Sequence, residues 1–289
     1  MPAPTPSDVA QRPMAVVGAG TLGRRIALML ATQGGEVRIF DVAQEPREAA
    51  TAFVARHLPA LLERIEGGSA GRVVACAELA EAVADAWLVV EALPERLELK
   101  REVFAELDRL APADAVLATN SSSYPSSRLV DAVSRPERLV NTHFYMPPDS
   151  IAVEVMSCGR TDAAVVDLLM DVLPRYGVVP FRVRRESVGF IYNRIWAAIK
   201  REALAVVAEG VATPEEVDRI YTLTLGARFG PFRAMDRVGL DVVLDIEKHY
   251  AAVRDGVPEE PRRLLREYLD AGRLGRKSGR GFYDYDAGR

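Results

Sequence analysis

The chain has few residues of the kinds that bind metals or cross-link a fold. Its 289 residues include only two cysteines and three histidines. Cys76 and Cys158 lie far apart and match no metal-binding spacing, so we expect buried reduced thiols rather than a disulfide framework or a zinc site. No metal site is expected.

The chain also lacks an excess of positive charge. Its formal net charge is −4 and its sequence pI is near 5.6, which disfavours a protein that binds nucleic acid or a membrane surface through a basic patch. Only four of its 37 basic residues are lysines, so the position of each lysine is informative. They are Lys100, Lys200, Lys248 and Lys277.

Long apolar runs are missing as well. None reaches the roughly 18 residues of a membrane span, and the N-terminus "MPAPTPSDVAQRP" lacks the charged and apolar regions of a signal peptide. We therefore expect a cytoplasmic protein without a membrane partner. A hydrophobic content of 49% is ordinary for a globular protein, and the length allows one large domain or two.

The stretch "MAVVGAGTLGRRIALMLATQGGEVRIFD" reads as strand, glycine turn, amphipathic helix and strand, a βαβ unit that implies a parallel sheet. Helical stretches alternate with most of the later strand candidates, so the sequence predicts an α/β fold with a Rossmann-type, doubly wound, mostly parallel sheet. The further strand candidates are residues 72–76, 87–92, 115–120, 139–145, 151–156 and 178–183.

The pattern changes after about residue 185, where helical signals replace strands. The run Thr213-Pro214-Glu215-Glu216 is a capping box with proline at the first helical position, so it predicts a helix start. We predict an NAD-binding Rossmann domain over residues 1–185 and an all-helical C-terminal domain over residues 186–289.

The glycine turn "GAGTLG" follows a strand and opens a helix, which is the context that makes a G-x-G-x-x-G motif meaningful. Asp41 ends the next strand and would accept hydrogen bonds from ribose hydroxyls while repelling a 2′-phosphate, so NAD is favoured over NADP. The alternative is a glycine turn without a cofactor. The loop residues predicted to bind the cofactor are Gly18, Gly20, Thr21, Leu22 and Gly23.

Histidine 143 lies near a strand end in "NTHFYMPPDSIAVEV", and Glu154 interrupts the next apolar run. An NAD-dependent oxidation of an alcohol needs a base for the hydroxyl proton, and a carboxylate on the other ring nitrogen would orient that base. The two side chains would meet if residues 139–145 and 151–156 pair through a Pro-Pro turn. From the pattern alone, a core histidine beside an unrelated glutamate stands as an equal alternative. Glu91 and Asn120 also end strands and are predicted to face the cofactor.

Several ordered motifs resemble the L-3-hydroxyacyl-CoA dehydrogenase family, along nearly the whole chain. They are "VVGAGTLGRRIA", "LVVEALPE", "TNSSS", "HFYMPP…VEVM", "SVGFIYNR", "FGPFRAMDRVGLD" and "GRLGRKSGRGFYDY". The resemblance implies an NAD-binding domain followed by a helical dimerisation domain, and hence a homodimeric oxidoreductase of fatty acid metabolism.

The same resemblance implies roles for individual residues. His143 matches the catalytic base, Glu154 its acidic partner, Ser122 the serine that binds the substrate oxygen and Asn193 an active-site asparagine. The remaining matches are Asp41 and Glu91 as ribose contacts and Lys277 as a lysine near the cofactor.

The chain departs from the family pattern at three points. Met146 stands where the family usually has asparagine, which removes an amide beside the nicotinamide. The segment after Asp41 is shorter and lacks the lysines with which the family contacts coenzyme A, although Arg56 and Arg64 could meet phosphates. The spacing from His143 to Glu154 is one residue short.

Three functions follow from these patterns. The leading hypothesis is NAD-linked interconversion of an L-3-hydroxyacyl thioester and the 3-oxoacyl thioester, carried by coenzyme A or an acyl-carrier protein. The second is NAD-dependent oxidation of a free hydroxy or sugar acid, as in the gulonate dehydrogenase or lambda-crystallin group. The third is a non-catalytic NAD-binding structural protein, which the joint presence of the four catalytic candidates disfavours.

Overall fold

One eight-stranded sheet runs through the first part of the chain. In the computed structural model, which describes residues 6–285, the strand order is β3-β2-β1-β4-β5-β6-β7-β8. All neighbours are parallel except β6 and β7, which are antiparallel. The predicted doubly wound, mostly parallel sheet is confirmed. The strands are β1 (Met14–Val17), β2 (Glu36–Phe40), β3 (Arg72–Cys76), β4 (Leu88–Glu91), β5 (Val116–Thr119), β6 (Leu139–Phe144), β7 (Ala152–Ser157) and β8 (Val179–Val183).

Helices cover both faces of this sheet because its central strands are apolar on both sides. Val16 of β1 packs into a core with Ile26, whereas its neighbour Val17 packs into a second core with Phe104. The helices of this unit are α1 (Pro6–Gln11), α2 (Thr21–Leu30), α3 (Gln44–Leu62), α4 (Leu79–Val83), α5 (Leu97–Leu110) and α6 (Ala163–Val172), with 3₁₀ turns at Ser126–Ala132, Pro136–Arg138 and Leu173–Tyr176.

The chain divides into two compact units, the first ending at Ile191 and the second beginning at Tyr192. The sequence places its domain boundary at residues 185 and 186, a few residues earlier, and that domain assignment stays a prediction. Residues 1–5, which belong to the proline-rich start, and residues 286–289 lie outside the described part of the chain.

The second unit is built from helices joined by turns, with no strand among its described residues. Its core joins Leu204, Phe232, Met235 and Leu265 to Phe282 near the chain end. The capping box at Thr213 is confirmed: its side chain accepts the Glu216 N–H, and Glu216 reaches back to the Thr213 N–H at 2.8 Å. The helices are α7 (Tyr192–Ala208), α8 (Pro214–Leu225), α9 (Pro231–Val238), α10 (Leu240–Val253) and α11 (Glu260–Asp270), followed by a 3₁₀ turn at Arg276–Ser278. None of the helices within residues 6–285 is long and apolar enough to cross a bilayer.

Candidate active site

The glycine loop lies between the end of β1 and the start of α2, next to the end of β4. This is the point where the strand order reverses and where doubly wound sheets bind their ligands. Gly18 has φ +106°, and a Cβ there would lie 2.7 Å from the Ala92 carbonyl oxygen. A Cβ on Gly23 would collide with the Gly18 carbonyl. Both positions therefore require glycine for the loop itself.

Gly20 is different, because a Cβ there would meet nothing within 4 Å. The residue caps α2 without a side-chain hydrogen bond, so the first N–H groups of the helix, at Thr21 and Leu22, have no side-chain cap. Open space in front of a helix N-terminus suits the pyrophosphate of a dinucleotide. The loop therefore fits NAD.

Asp41 follows β2 and turns its carboxylate toward this loop. Its Oδ2 accepts the Ala19 N–H at 2.9 Å and its Oδ1 accepts the Ala43 N–H at 3.1 Å. Each carboxylate oxygen can accept a further hydrogen bond, which leaves capacity for ribose hydroxyls.

His143 and Glu154 are direct partners across the antiparallel strands β6 and β7. The His143 Nδ1 atom lies 3.0 Å from Glu154 Oε2, and the two residues are 4% and 2% exposed. The Ile191 N–H donates to the other carboxylate oxygen at 2.8 Å, and the imidazole stacks on Phe190 with ring centroids 4.8 Å apart. An ionised Glu154 keeps the hydrogen on Nδ1, so Nε2 is the nitrogen that can accept a proton.

Ser122 belongs to a serine loop, residues 121–123, whose polar groups hydrogen-bond to Glu95. The Glu95 carboxylate accepts the N–H of Ser122 at 2.7 Å and the hydroxyl of Ser121 at 2.8 Å, and Lys100 Nζ lies 3.4 Å from it. Burial raises the pKa of Glu95, but the Lys100 charge and the hydrogen bonds from the serines outweigh burial, so the pKa lies below its ordinary value. Glu95 was not identified in the sequence analysis. Lys100 was the available signal, because lysine is rare in this chain.

Glu91, predicted to contact a ribose, points into the protein interior with no exposed surface. Its carboxylate accepts hydrogen bonds from the Leu93 N–H at 2.6 Å, Lys100 Nζ at 2.7 Å and the Thr119 hydroxyl at 2.6 Å. These contacts hold β4, β5 and α5 together, and ribose binding by Glu91 stays a prediction.

The remaining predicted residues fall in two places. Asn120 is nearly buried, and its side-chain oxygen accepts the Phe144 N–H at 2.8 Å, which links the ends of β5 and β6. Asn193 lies in the first turn of α7, in the second unit. Lys277 also belongs to the second unit, where its ammonium binds Asp241 Oδ1 at 2.6 Å.

A cavity of about 260 Å³ lies between α2, α3 and the turn after β6. Arg25 closes one side, where it donates to the Pro147 carbonyl at 2.8 Å. The His57 ring contacts Phe53 with ring centroids 4.4 Å apart and the ring planes tilted by 45°. The wall combines apolar side chains with two arginines, a histidine and an aspartate: Leu28, Phe53, Leu61, Arg25, Arg64, His57 and Asp149.

Two family models match the chain along most of its length. The model of the 3-hydroxyacyl-CoA dehydrogenase NAD binding domain matches residues 13–187, and that of the 3-hydroxyacyl-CoA dehydrogenase C-terminal domain matches residues 189–285.

Individual relatives agree with this match. The chain is 34% identical over 277 residues to a probable 3-hydroxybutyryl-CoA dehydrogenase of Bacillus subtilis, covering 94% of this chain and 96% of that protein. It is 31% identical to the 5-formyl-3-hydroxy-2-methylpyridine 4-carboxylate 5-dehydrogenase of Mesorhizobium japonicum, covering 95% and 91%. The solved structure of the (S)-3-hydroxybutyryl-CoA dehydrogenase of Ralstonia eutropha superimposes with a TM-score of 0.85 at 29% identity, covering 95% of this chain and 99% of that one.

Proposed function

Because the chain belongs to the 3-hydroxyacyl-CoA dehydrogenase family and is an NAD-dependent oxidoreductase of that type, we propose that it interconverts an L-3-hydroxyacyl thioester and the 3-oxoacyl thioester. The observation that carries this proposal is the 3.0 Å contact between His143 Nδ1 and Glu154 Oε2 inside a buried site. NAD, when bound, supplies the hydride acceptor.

His143 acts as the general base in this proposal. Its Nε2 takes the proton of the substrate hydroxyl while hydride leaves the adjacent carbon, and in the reverse reaction it returns that proton to the oxygen. Glu154 stabilises the imidazolium that forms, because its ionised oxygen already accepts the Nδ1 hydrogen. Its buried position keeps water from weakening that interaction.

Ser122 and Asn193 hold the reacting oxygen in this proposal, as the family resemblance implies. The hydrogen bonds from the N–H groups of Ser122 and Ser123 to Glu95 support the assignment of Ser122, because they fix the backbone that carries its hydroxyl. For Asn193, support comes from its place in the first turn of α7 within the matched C-terminal domain. Asn120 would orient the strand end beside the cofactor.

Coenzyme A is the carrier that the cavity beside α3 supports. Arg64 offers a guanidinium group beside an apolar surface, which suits a phosphorylated, partly apolar group. Arg56, the other candidate phosphate contact, is exposed on the same helix and does not line this cavity. An acyl-carrier protein stays an alternative carrier.

Oxidation of a free hydroxy or sugar acid is the second candidate function. Met146, at 42% exposure, replaces the asparagine that the family usually has, and the relative from Mesorhizobium japonicum carries the name of a pyridine carboxylate dehydrogenase. The name of this relative and the shortened segment after Asp41 favour a substrate other than a thioester. A non-catalytic NAD-binding role has no such support.

One substrate panel separates these functions. Formation of NADH is followed with 3-hydroxybutyryl-CoA, the same acyl group on an acyl-carrier protein, and free 3-hydroxybutyrate and gulonate. We expect the highest kcat/KM with the coenzyme A thioester. Preference for a free acid would replace the first proposal by the second, and absence of turnover with NAD bound would support the structural role.

Three further expectations remain proposals: the homodimer, the cytoplasmic location and the boundary near residue 185. Light scattering on the purified full chain tests the first, and a mass of one chain would overturn it.

A further inference from the structure

Tyr145 and the candidate base His143 both contact the same carboxylate oxygen of Glu154. The tyrosine hydroxyl donates to Glu154 Oε2 at 2.6 Å, and the same oxygen lies 3.0 Å from His143 Nδ1. Tyr145 directly follows β6 and is two residues after His143, so the alternation of an extended chain puts both rings on one side, with centroids 4.5 Å apart. The two donors therefore meet at a single acceptor atom.

The Glu154 carboxylate is held by hydrogen bonds on both of its oxygens. Tyr145 and His143 bind Oε2, and the Ile191 N–H binds Oε1. The last torsion of a glutamate side chain has no strong preference of its own, so its hydrogen bonds set the plane of the carboxylate. Hydrogen bonds from N–H and O–H groups to an ionised carboxylate are shorter and stronger than those between neutral groups.

Orientation of this oxygen matters most when charge develops on the imidazole. Donation from Nδ1 strengthens as the ring becomes an imidazolium, and that gain depends on Oε2 lying along the N–H direction. Removal of the tyrosine hydroxyl takes away one of the donors that hold Oε2 in place. The carboxylate can then rotate away from the geometry that stabilises the imidazolium.

We propose that Tyr145 is a positioning residue, which acts on His143 by fixing the Glu154 carboxylate. This role rests on the proposed function, because it presupposes that His143 gains a proton during turnover. It differs from substrate binding, since the hydroxyl works through the carboxylate. The substitution Tyr145→Phe therefore affects kcat, with the KM values for NAD and the hydroxyacyl substrate unchanged.

A double-mutant cycle tests this coupling, with Tyr145→Phe, Glu154→Gln and the double variant. We expect Tyr145→Phe to lower kcat about tenfold in the wild-type background, as for loss of a hydrogen bond to a charged group, and to have no further effect in the Glu154→Gln background. Tyr176→Phe is the matched control, because Tyr176 is also buried but makes no hydrogen bond through its hydroxyl within residues 6–285. Equal losses in both backgrounds, or an unchanged kcat in Tyr145→Phe, would overturn the proposal.

A second measurement does not depend on turnover. The proton on His143 Nδ1, observed by NMR and assigned with a His143→Gln variant, reports its hydrogen bond to Glu154. We expect its resonance to move in Tyr145→Phe and to stay in place in Tyr176→Phe. An unmoved resonance in Tyr145→Phe would contradict the positioning role, whereas a moved resonance without turnover of any hydroxyacyl substrate would count against the proposed function instead.

Discussion

Lys100 Nζ lies 2.7 Å from Glu91 Oε1, and both side chains are almost fully removed from solvent. Charges that are buried this deeply are tolerated only in pairs, because a lone charge in the interior is poorly solvated. The pair joins α5 to the end of β4, directly beside the glycine loop, and its lysine also reaches toward Glu95. It therefore supports the cofactor loop and the serine loop at once.

Substitution of Lys100 by methionine is expected to lower the free energy of unfolding by about 3–5 kcal/mol, because it leaves Glu91 charged and unpaired. Urea unfolding measures the change. The matched control is Lys248→Met, since Lys248 is half exposed and pairs with an exposed Asp245, so we expect less than about 1 kcal/mol there. Similar losses in the two variants would refute a special role for the buried pair.

Gly18 and Gly20 are expected to respond differently to substitution by alanine. The Gly18→Ala change should destabilise the fold, because φ is +106° and the Cβ would meet the Ala92 carbonyl. The Gly20→Ala change should leave the melting temperature unchanged and weaken NAD binding at least about tenfold, because the added methyl occupies the space in front of α2. Calorimetric titration with NAD provides the measurement. Wild-type affinity in a folded Gly20→Ala variant would count against the cofactor site.

Glu95→Gln tests the missed residue of the serine loop. Loss of the charge weakens its hydrogen bonds to Ser121, Ser122 and Ser123, so we expect KM for the hydroxyacyl substrate to rise about tenfold. Stability should change little because Glu95 is 38% exposed. Glu98→Gln, at 77% exposure in the first turn of α5, is the control. An unchanged KM in Glu95→Gln would separate this loop from substrate binding.

Low pH should reduce the stability of the first unit, because Asp108 loses its charge there. Burial raises the pKa of this carboxyl, but Arg138 at 2.7 Å and Ser134 at 2.6 Å outweigh it and hold the pKa below its usual value. Since the folded pKa lies below the unfolded value of about 3.9, the pair stabilises the fold above that pH and loses this contribution as pH falls.

The Asp108→Asn variant isolates that contribution. At neutral pH we expect its free energy of unfolding to be about 1–3 kcal/mol lower than that of the wild type. The difference should shrink below about pH 4, where the wild-type carboxyl takes up a proton. A difference that stays constant across this range in urea unfolding would mean that Asp108 does not titrate as described.

Much of the first unit is readable from the sequence because its strands are short apolar runs between turn signals. Residues 72–76 form β3 as predicted, and the pairing of β6 with β7 is confirmed by its register. The proximity of His143 to Glu154 follows from that register, because the two residues are direct partners across β6 and β7.

Other features depend on side-chain directions that no sequence period encodes. Glu91 ends a strand like a ligand-binding residue, yet it turns inward because Lys100 comes back from α5 to meet it. Glu95 lies in an irregular stretch, and its partners at residues 121–123 come from a neighbouring strand end. The hydroxyl of Tyr145 reaches Glu154 because β6 and β7 pair in this register.

The most direct test of the account compares turnover with cofactor binding in His143→Ala. We expect kcat to fall by about 10²–10⁴-fold, the usual contribution of a general base, while the Kd for NAD stays at the wild-type value, because the glycine loop and Asp41 hold the cofactor without this imidazole. His249→Ala, which changes a histidine on a helix of the second unit, should match wild type in both measurements. Turnover by His143→Ala at the wild-type rate would contradict the assignment of this histidine as the base.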